Sequence, residues 1–120
     1  MRPVLDESCI HPAIRERVAT LHADVLREAG DAIAQHDVVV LGMAGNPFVG
    51  KARRLLDGRG IAHRDIDYGG YLSQWRRRNA LKMWTGWPTF PMVFVKGSLI
   101  GGFEDLAQLA ESGELQRLLG

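Results

Sequence analysis

Between Pro12 and about Gln35 the apolar residues Ile14, Val18, Leu21 and Val25 recur at spacings of four, three and four. That is the one-sided stripe of an amphipathic helix, with Pro12 suited to its first turn. Arg15, Glu16, Asp24 and Arg27 fall on the solvent side, and Gly30 is a point where the helix weakens or ends. Val38-Val39-Val40-Leu41 is short, apolar and β-branched, the pattern of a strand covered on both faces. A turn at Ala44-Gly45-Asn46-Pro47 leads into a second helix, from Pro47 to about Asp57, with Ala52, Leu55 and Leu56 inward and Gly58 and Gly60 as its stop. Ile61 to Tyr68 reads as another strand, and Tyr71 to about Met83 as a helix burying Leu72, Trp75 and Leu81. Met92 to Lys96 and Leu99-Ile100 alternate as strands, joined by a hairpin turn at Lys96-Gly97-Ser98. Helical spacing returns at Leu106 and Leu109 and runs through Leu115 to Leu119. The order α-β-α-β-α-β-β-α implies an α/β domain: a four-stranded mixed sheet flanked by helices.

Composition supports this picture and narrows the function. A chain of 120 residues with 46% hydrophobic content buries roughly two thirds of its unfolded surface and needs no disulfide or metal to fold. The formal net charge is +1, which gives no basis for a nucleic-acid partner; the arginines at 53–54 and 76–78 read as solvated helix faces. No apolar run approaches the roughly 20 residues that cross a bilayer. Met1 to His11 carries Asp6 and Glu7 and lacks the apolar core of a secretion signal, so the expected compartment is the cytoplasm. His11, His22, His36 and His63 share no metal-ligand spacing, and no metal site is expected. The one cysteine, Cys9, has no partner for an internal disulfide and reads as a free thiol in the N-terminal segment.

From Val38 to the C-terminus, about two thirds of the chain, the sequence resembles the glutaredoxins. The run Trp87-Pro88-Thr89-Phe90-Pro91, Val93-Phe94-Val95-Lys96-Gly97, Leu99-Ile100-Gly101-Gly102 and Glu111-Ser112-Gly113-Glu114-Leu115 is similar to the monothiol members nearly residue for residue. Arg78-Asn79-Ala80-Leu81-Lys82 resembles their Arg-Gln-x-Leu-Lys helix. The resemblance implies a thioredoxin-like fold with an additional N-terminal helix. Residues 1–36 would be an extension packed on a glutaredoxin-like domain, 37–120. It also implies a cis peptide bond before Pro91, which presents the backbone of Phe90 as an edge for an extended peptide such as glutathione. Gly101 and Gly102 permit close backbone approach, and the helix that follows offers free amides to a carboxylate.

The same resemblance exposes what the site lacks. In the family the first strand leads to a cysteine at a helix N-terminus, where unpaired amides and the helix dipole lower the thiol pKa. Here the loop reads Asn46-Pro47-Phe48-Val49, and Asn46 stands in the family's spacing to Gly60. Asn46 thus occupies the position of the attacking cysteine, and Val49 that of the resolving one. An amide forms no mixed disulfide, but asparagine is a favoured helix N-cap, so the structural duty of the position survives. The family's lysine before this loop aligns with Ala44, and its Cys-Asp after the double glycine aligns with Phe103-Glu104. Glu104 or Asp105 is left to meet the amino group of glutathione. The expected binding set is Asn46, Phe48, Arg78, Thr89, Phe90, Pro91, Gly101, Gly102, Phe103, Glu104 and Asp105, with no catalytic residue. No iron–sulfur cluster is expected, because its ligands are thiolates.

Three functions compete. The first is a redox-inactive homologue that keeps a glutathione or peptide groove as a binding or regulatory module. The second is a glutathione-dependent oxidoreductase or transferase that uses Cys9, or that stabilises the ligand thiolate with Asn46 and the helix N-terminus. The third is an interaction protein without a small-molecule ligand, in which the N-terminal stripe or Trp75, Trp84 and Trp87 form a partner surface, a homodimer included.

Overall fold

The computed structural model describes residues 1–120. After a short 3-10 turn at Glu7–Cys9 come α1 (Pro12–Thr20), α2 (Ala23–Gln35), β1 (Val38–Gly42), α3 (Pro47–Gly58) and β2 (Arg64–Asp67). They are followed by α4 (Trp75–Thr85), β3 (Met92–Val95), β4 (Ser98–Gly101), α5 (Phe103–Ser112) and α6 (Glu114–Leu119). The four strands form one sheet in the order β2-β1-β3-β4, with β1 parallel to β2 and antiparallel to β3, and β3 antiparallel to β4.

Strand periodicity divides the interior in two. Val39 and Leu41 of β1, with Met92 and Phe94 of β3, face a cluster closed by Val25, Ala29 and Ala32 of α2 and Leu81 of α4. Val38 and Val40, with Val93 and Val95, face the other layer, where Ala52 and Leu56 of α3 meet Leu106, Ala110 and Leu115 of α5 and α6. Successive residues of one strand serve opposite cores, and β1 and β3 are buried throughout. That accounts for their unbroken apolar character. α2 shares the core of the domain it precedes, and Tyr68 fastens it further by donating its hydroxyl to Glu28 Oε1 at 2.8 Å. Burial and that carboxylate hold the Tyr68 phenol well above its ordinary pKa.

The helix expected over Pro12 to Gln35 is two helices. Leu21 is extended and His22 adopts a left-handed conformation, φ +50°, before α2 begins. Of the expected stripe only Val25 is buried; Ile14, Val18 and Leu21 are exposed, and α1 buries no residue. The periodicity correctly marks helix, but the chain breaks at Leu21–His22 and α1 buries none of its residues, so the stripe lies outside the core. Gly30 interrupts nothing and lies within α2. The third expected helix starts later, at Trp75, because Gly69 and Gln74 carry positive φ in the loop before it. Leu72 lies in that loop, fully exposed, and Trp75 is also exposed, leaving Leu81 as the buried member of the expected trio. The second strand shortens to Arg64–Asp67, and the final helix divides at Gly113. No helix is long and apolar enough to cross a membrane.

Candidate functional site

The register of the sheet decides where the chemistry gathers. Leu41 pairs with Met92, so the loop leaving β1 and the loop entering β3 emerge at the same end. Val93 pairs with Gly101, which brings the end of β4 and the start of α5 to that end as well. A cleft of about 520 Å³ opens there. Asn46, Phe48, Arg78, Thr89, Phe90, Pro91, Gly102, Phe103, Glu104 and Asp105 all line it. Gly101 alone of the expected set does not; it is buried behind the cleft wall. Cys9 is exposed and outside the lining.

Asn46 is the N-cap of α3. Its Oδ1 accepts the Phe48 N–H at 2.9 Å, and its Nδ2 donates to the Phe90 carbonyl at 3.2 Å, joining loops 44 residues apart. Pro47, the first residue of the helix, has no N–H to offer. The Phe90–Pro91 peptide bond is cis. The Phe90 N–H has no backbone partner, so one donor of this edge stays open while its carbonyl already accepts a bond.

The two flanks carry opposite charge. On α4, Arg78 and Lys82 stand one turn apart and both reach the cleft. Arg78 is 7% exposed and spends Nη1 on the carbonyls of Tyr68 (2.7 Å) and Ser73 (2.5 Å), so it mainly pins the preceding loop. Lys82 enters no ion pair with a neighbour and holds its Nζ 6.0 Å from the centre of the Phe90 ring, leaving its charge to the cleft. On α5, Asp105 Oδ2 accepts the Gly102 N–H at 3.0 Å, closing the helix start, and Glu104 is exposed. This pairing explains Gly101: a Cβ there would lie 2.3 Å from Asp105 Oδ2, and its φ is +114°. Its glycine makes room for the cap. Gly102 is less constrained, since a Cβ would meet only ordinary contacts at 3.6 Å and beyond.

Sequence reasoning missed Met43, Tyr71, Lys82, Trp87 and Pro88 as lining residues. Lys82 had a signal, being four residues after Arg78 on the same helix face. Tyr71 had none, since a loop of irregular conformation carries it in. The cleft supplies amide, ammonium, carboxylate and aromatic groups. It offers no thiolate, so the donors of an iron–sulfur cluster are absent from its lining and that group does not fit.

Comparison with known proteins bears on the family and the fold. The family profile described as glutaredoxin matches residues 38–100. A glutaredoxin-like protein of Dictyostelium discoideum is 44% identical over 94 residues, covering 78% of this chain and 76% of that protein. Monothiol glutaredoxin-4 of Schizosaccharomyces pombe is 32% identical over 88 residues, 70% of this chain but only 35% of that longer relative. Among solved structures, the buckwheat glutaredoxin–glutathione complex superposes with a TM-score of 0.72 at 25% identity, over 81% of this chain and 88% of that one. The architecture is the thioredoxin-like one of these proteins.

Proposed function

The chain belongs to the glutaredoxin family, and on that footing we propose that it works without thiol redox chemistry, binding glutathione or a related extended peptide as a binding or regulatory module. The observation that carries this reading is Asn46, a side chain bonded at both ends in the place where the resemblance puts the attacking cysteine. Thiol–disulfide exchange needs a thiolate there, and an amide supplies none. The rest of the cleft suits a short zwitterionic peptide. The open Phe90 N–H is a main-chain donor for a ligand carbonyl. Lys82, with Arg78 beside it, attracts a carboxylate, and Glu104 an ammonium. A glutaredoxin of similar fold has been solved with glutathione bound, which supports the choice of ligand. The lone cysteine suits a reducing compartment, and we assign the protein to the cytoplasm.

Titrating reduced glutathione while following backbone amide NMR shifts tests the reading. Saturable shifts centred on Phe90, Gly102 and Phe103 are expected. No shift at about 5 mM, weaker than a millimolar-range ligand, would remove glutathione from the proposal. A thiol–disulfide exchange assay should read at the buffer rate, and activity that disappears in Cys9→Ser would show that Cys9 is a working nucleophile. One observation favours a second reading: Ile14 and Val18 are exposed on a helix that buries nothing of itself, and Leu21 just beyond it is exposed too. An interaction role, homodimerisation included, would show as a dimer mass in gel filtration with light scattering.

A further inference from the structure

The chain's 15 basic and 14 acidic side chains nearly cancel, but they are not evenly mixed. No aspartate or glutamate occurs from Tyr68 to Phe103, a stretch that carries Arg76, Arg77, Arg78, Lys82 and Lys96. All of these but Lys96 lie on α4. Arg78 is committed to the carbonyls of Tyr68 and Ser73, Arg77 stands 3.7 Å from Asp24 of α2, and Lys82 turns to the cleft. Arg76 has no carboxylate partner; its guanidinium lies 5.1 Å from the centre of the Trp75 ring. The same helix face is apolar where a solvated one is charged. Trp75, Asn79 and Met83 follow one another at single-turn spacing, all exposed, Trp75 at 55% and Met83 at 63%. Leu72, just before the helix, is fully exposed on an ordered turn. The Ser73 N–H donates to the Gly70 carbonyl at 3.2 Å, the Gly70 N–H to Ser73 Oγ at 3.1 Å, and Arg78 holds the Ser73 carbonyl. A leucine displayed on a tied turn loses little freedom when a partner covers it.

We propose that this outer face of α4, formed by Leu72, Trp75, Arg76, Asn79 and Met83, docks an acidic polypeptide segment with apolar side chains, supplied by another protein. Tryptophan, methionine and arginine are residues that interface centres favour. Arg76 meets a carboxylate of the segment, Leu72, Trp75 and Met83 take its apolar side chains, and Asn79 offers its amide to the main chain. A face this small suits a segment and not a globular domain, whose interface takes about 20–30 residues a side. A nucleic acid fits less well, because tight phosphate binding takes about 6–10 cationic contacts and here Arg76 is the free cation. So does a membrane surface, since Asn79 divides the apolar stripe. None of these side chains lines the cleft, and the proposal stands apart from the glutathione reading.

The test uses the full chain and a short fluorescein-labelled peptide of leucines interspersed with aspartates and glutamates, read by anisotropy. Controls are the same peptide with asparagine and glutamine for the acids, labelled oligothymidine, and phosphatidylserine vesicles. The acidic peptide should bind about tenfold more tightly than its amide counterpart. Added salt should shrink that advantage, because exposed charges are screened over about 8 Å at physiological ionic strength. Arg76→Glu should weaken binding about tenfold and Trp75→Ala about fivefold. Both residues are exposed, so the fold should survive, which circular dichroism verifies. Arg76→Gln reads the same contact with a smaller loss if the glutamate variant is destabilised. Arg59→Glu makes the same change of charge at the exposed C-cap of α3, on the other side of the sheet, and should alter affinity less than twofold. Excess reduced glutathione should leave the peptide bound. An acidic peptide that fails to bind, or binds no better than its amide form, would overturn the proposal. Tighter binding of oligothymidine or vesicles would reassign the face to nucleic acid or lipid and overturn it too. So would an Arg59→Glu loss equal to that of Arg76→Glu, which reduces the effect to net charge, or displacement by glutathione, which moves the peptide into the cleft. A cleft that binds no glutathione leaves this surface as it stands.

Discussion

Two helices, α3 and α5, begin at the same cleft, and each hides an amide that its own turns cannot satisfy. α3 uses a neutral group: Asn46 accepts the Phe48 N–H and reaches on to Phe90, 44 residues away. α5 uses a charged one: Asp105 turns back onto the Gly102 N–H three residues earlier. The first cap is a tie between distant segments, and the second is local. Their charges also differ in consequence. An anion arriving at α5 meets a carboxylate already in place, whereas one arriving at α3 meets a neutral amide. On the proposed reading, a ligand's carboxylate would be turned toward Lys82 on α4, and its ammonium toward α5.

The local cap has the more demanding surroundings, and its breakage should give the largest effect. In Gly101→Ala the new Cβ would stand 2.3 Å from Asp105 Oδ2 on a residue at φ +114°. Left-handed strain together with overpacking should cost about 3 kcal/mol, a fall in Tm of roughly 12 °C for a domain of this size. Asp105→Ala alone should cost about 1 kcal/mol, the usual value of a lost N-cap. The double variant sharpens the point, because removing the carboxylate removes the clash and leaves only the backbone strain. Its loss in chemical denaturation should therefore be smaller than the sum of the two singles. Strict additivity would show that Asp105 is not the reason for glycine at 101.

The neutral cap separates into two parts by substitution. Asn46→Ala removes both the cap and the tie to Phe90, for about 1.5–2 kcal/mol in all. Asn46→Ser keeps a capping oxygen but is too short to bridge to Phe90, so it should lose about 0.5–1 kcal/mol, the value of one hydrogen bond. Urea denaturation of the three proteins reads both steps. If serine were as costly as alanine, the tie and not the cap would carry the stability, and the contrast between the helices would deepen. A serine variant as stable as the native protein would leave the tie without energetic weight.

How far these features were legible in sequence follows from how local they are. Asn46 as a cap was readable, since asparagine before proline and an apolar helix is a short-range signal. The strands β1 and β3 were readable because burial on both faces leaves a continuous apolar run. The hairpin was readable from Lys96-Gly97, both at positive φ in the structure. The bond from Asn46 to Phe90 was not, because it depends on register between β1 and β3. Arg78 was read as a ligand contact; it does line the cleft, but its Nη1 also holds two loop carbonyls, a geometry no spacing reports. Gly101 was read as permitting close approach of a ligand, and the structure shows a local demand that sequence did not: it makes room for Asp105. Ile14 and Val18 failed for a different reason. Periodicity marks which residues share a face, but not whether any surface waits opposite them.

The far end of α3 completes the comparison with a fastener that titrates. His63, in the loop before β2, places Nε2 2.7 Å from Asp57 Oδ1 in the last turn of α3 and Nδ1 2.6 Å from Asp65 Oδ1 in β2. Arg53 lies 3.4 Å from the other oxygen of Asp65 and pairs with Asp67 at 2.7 Å, so the imidazole closes a row of alternating charges. Burial draws the His63 pKa down, but the bonds to Asp57 and Asp65 outweigh it and leave the pKa raised. The folded state therefore holds the proton more tightly than the unfolded chain does. Its contribution is fully present below the unfolded value of about 6.5 and disappears as the pH rises through the folded value. Asp57 is 70% exposed, and screening reduces the effect to a few tenths of a kcal/mol. The stability difference between the native protein and His63→Gln, from denaturation at pH 5.5, 7 and 8.5, should shrink along that series, the other histidines cancelling in the subtraction. The deficit of Asn46→Ser should stay level over the same range, because both bonds made by that amide lack a proton to lose. A His63 difference that did not move with pH would mean that the imidazole titrates alike in the folded and the unfolded chain, with no net gain from its two carboxylates. An Asn46 deficit that did move would show that one of the ionisable groups around the cleft is coupled to that amide.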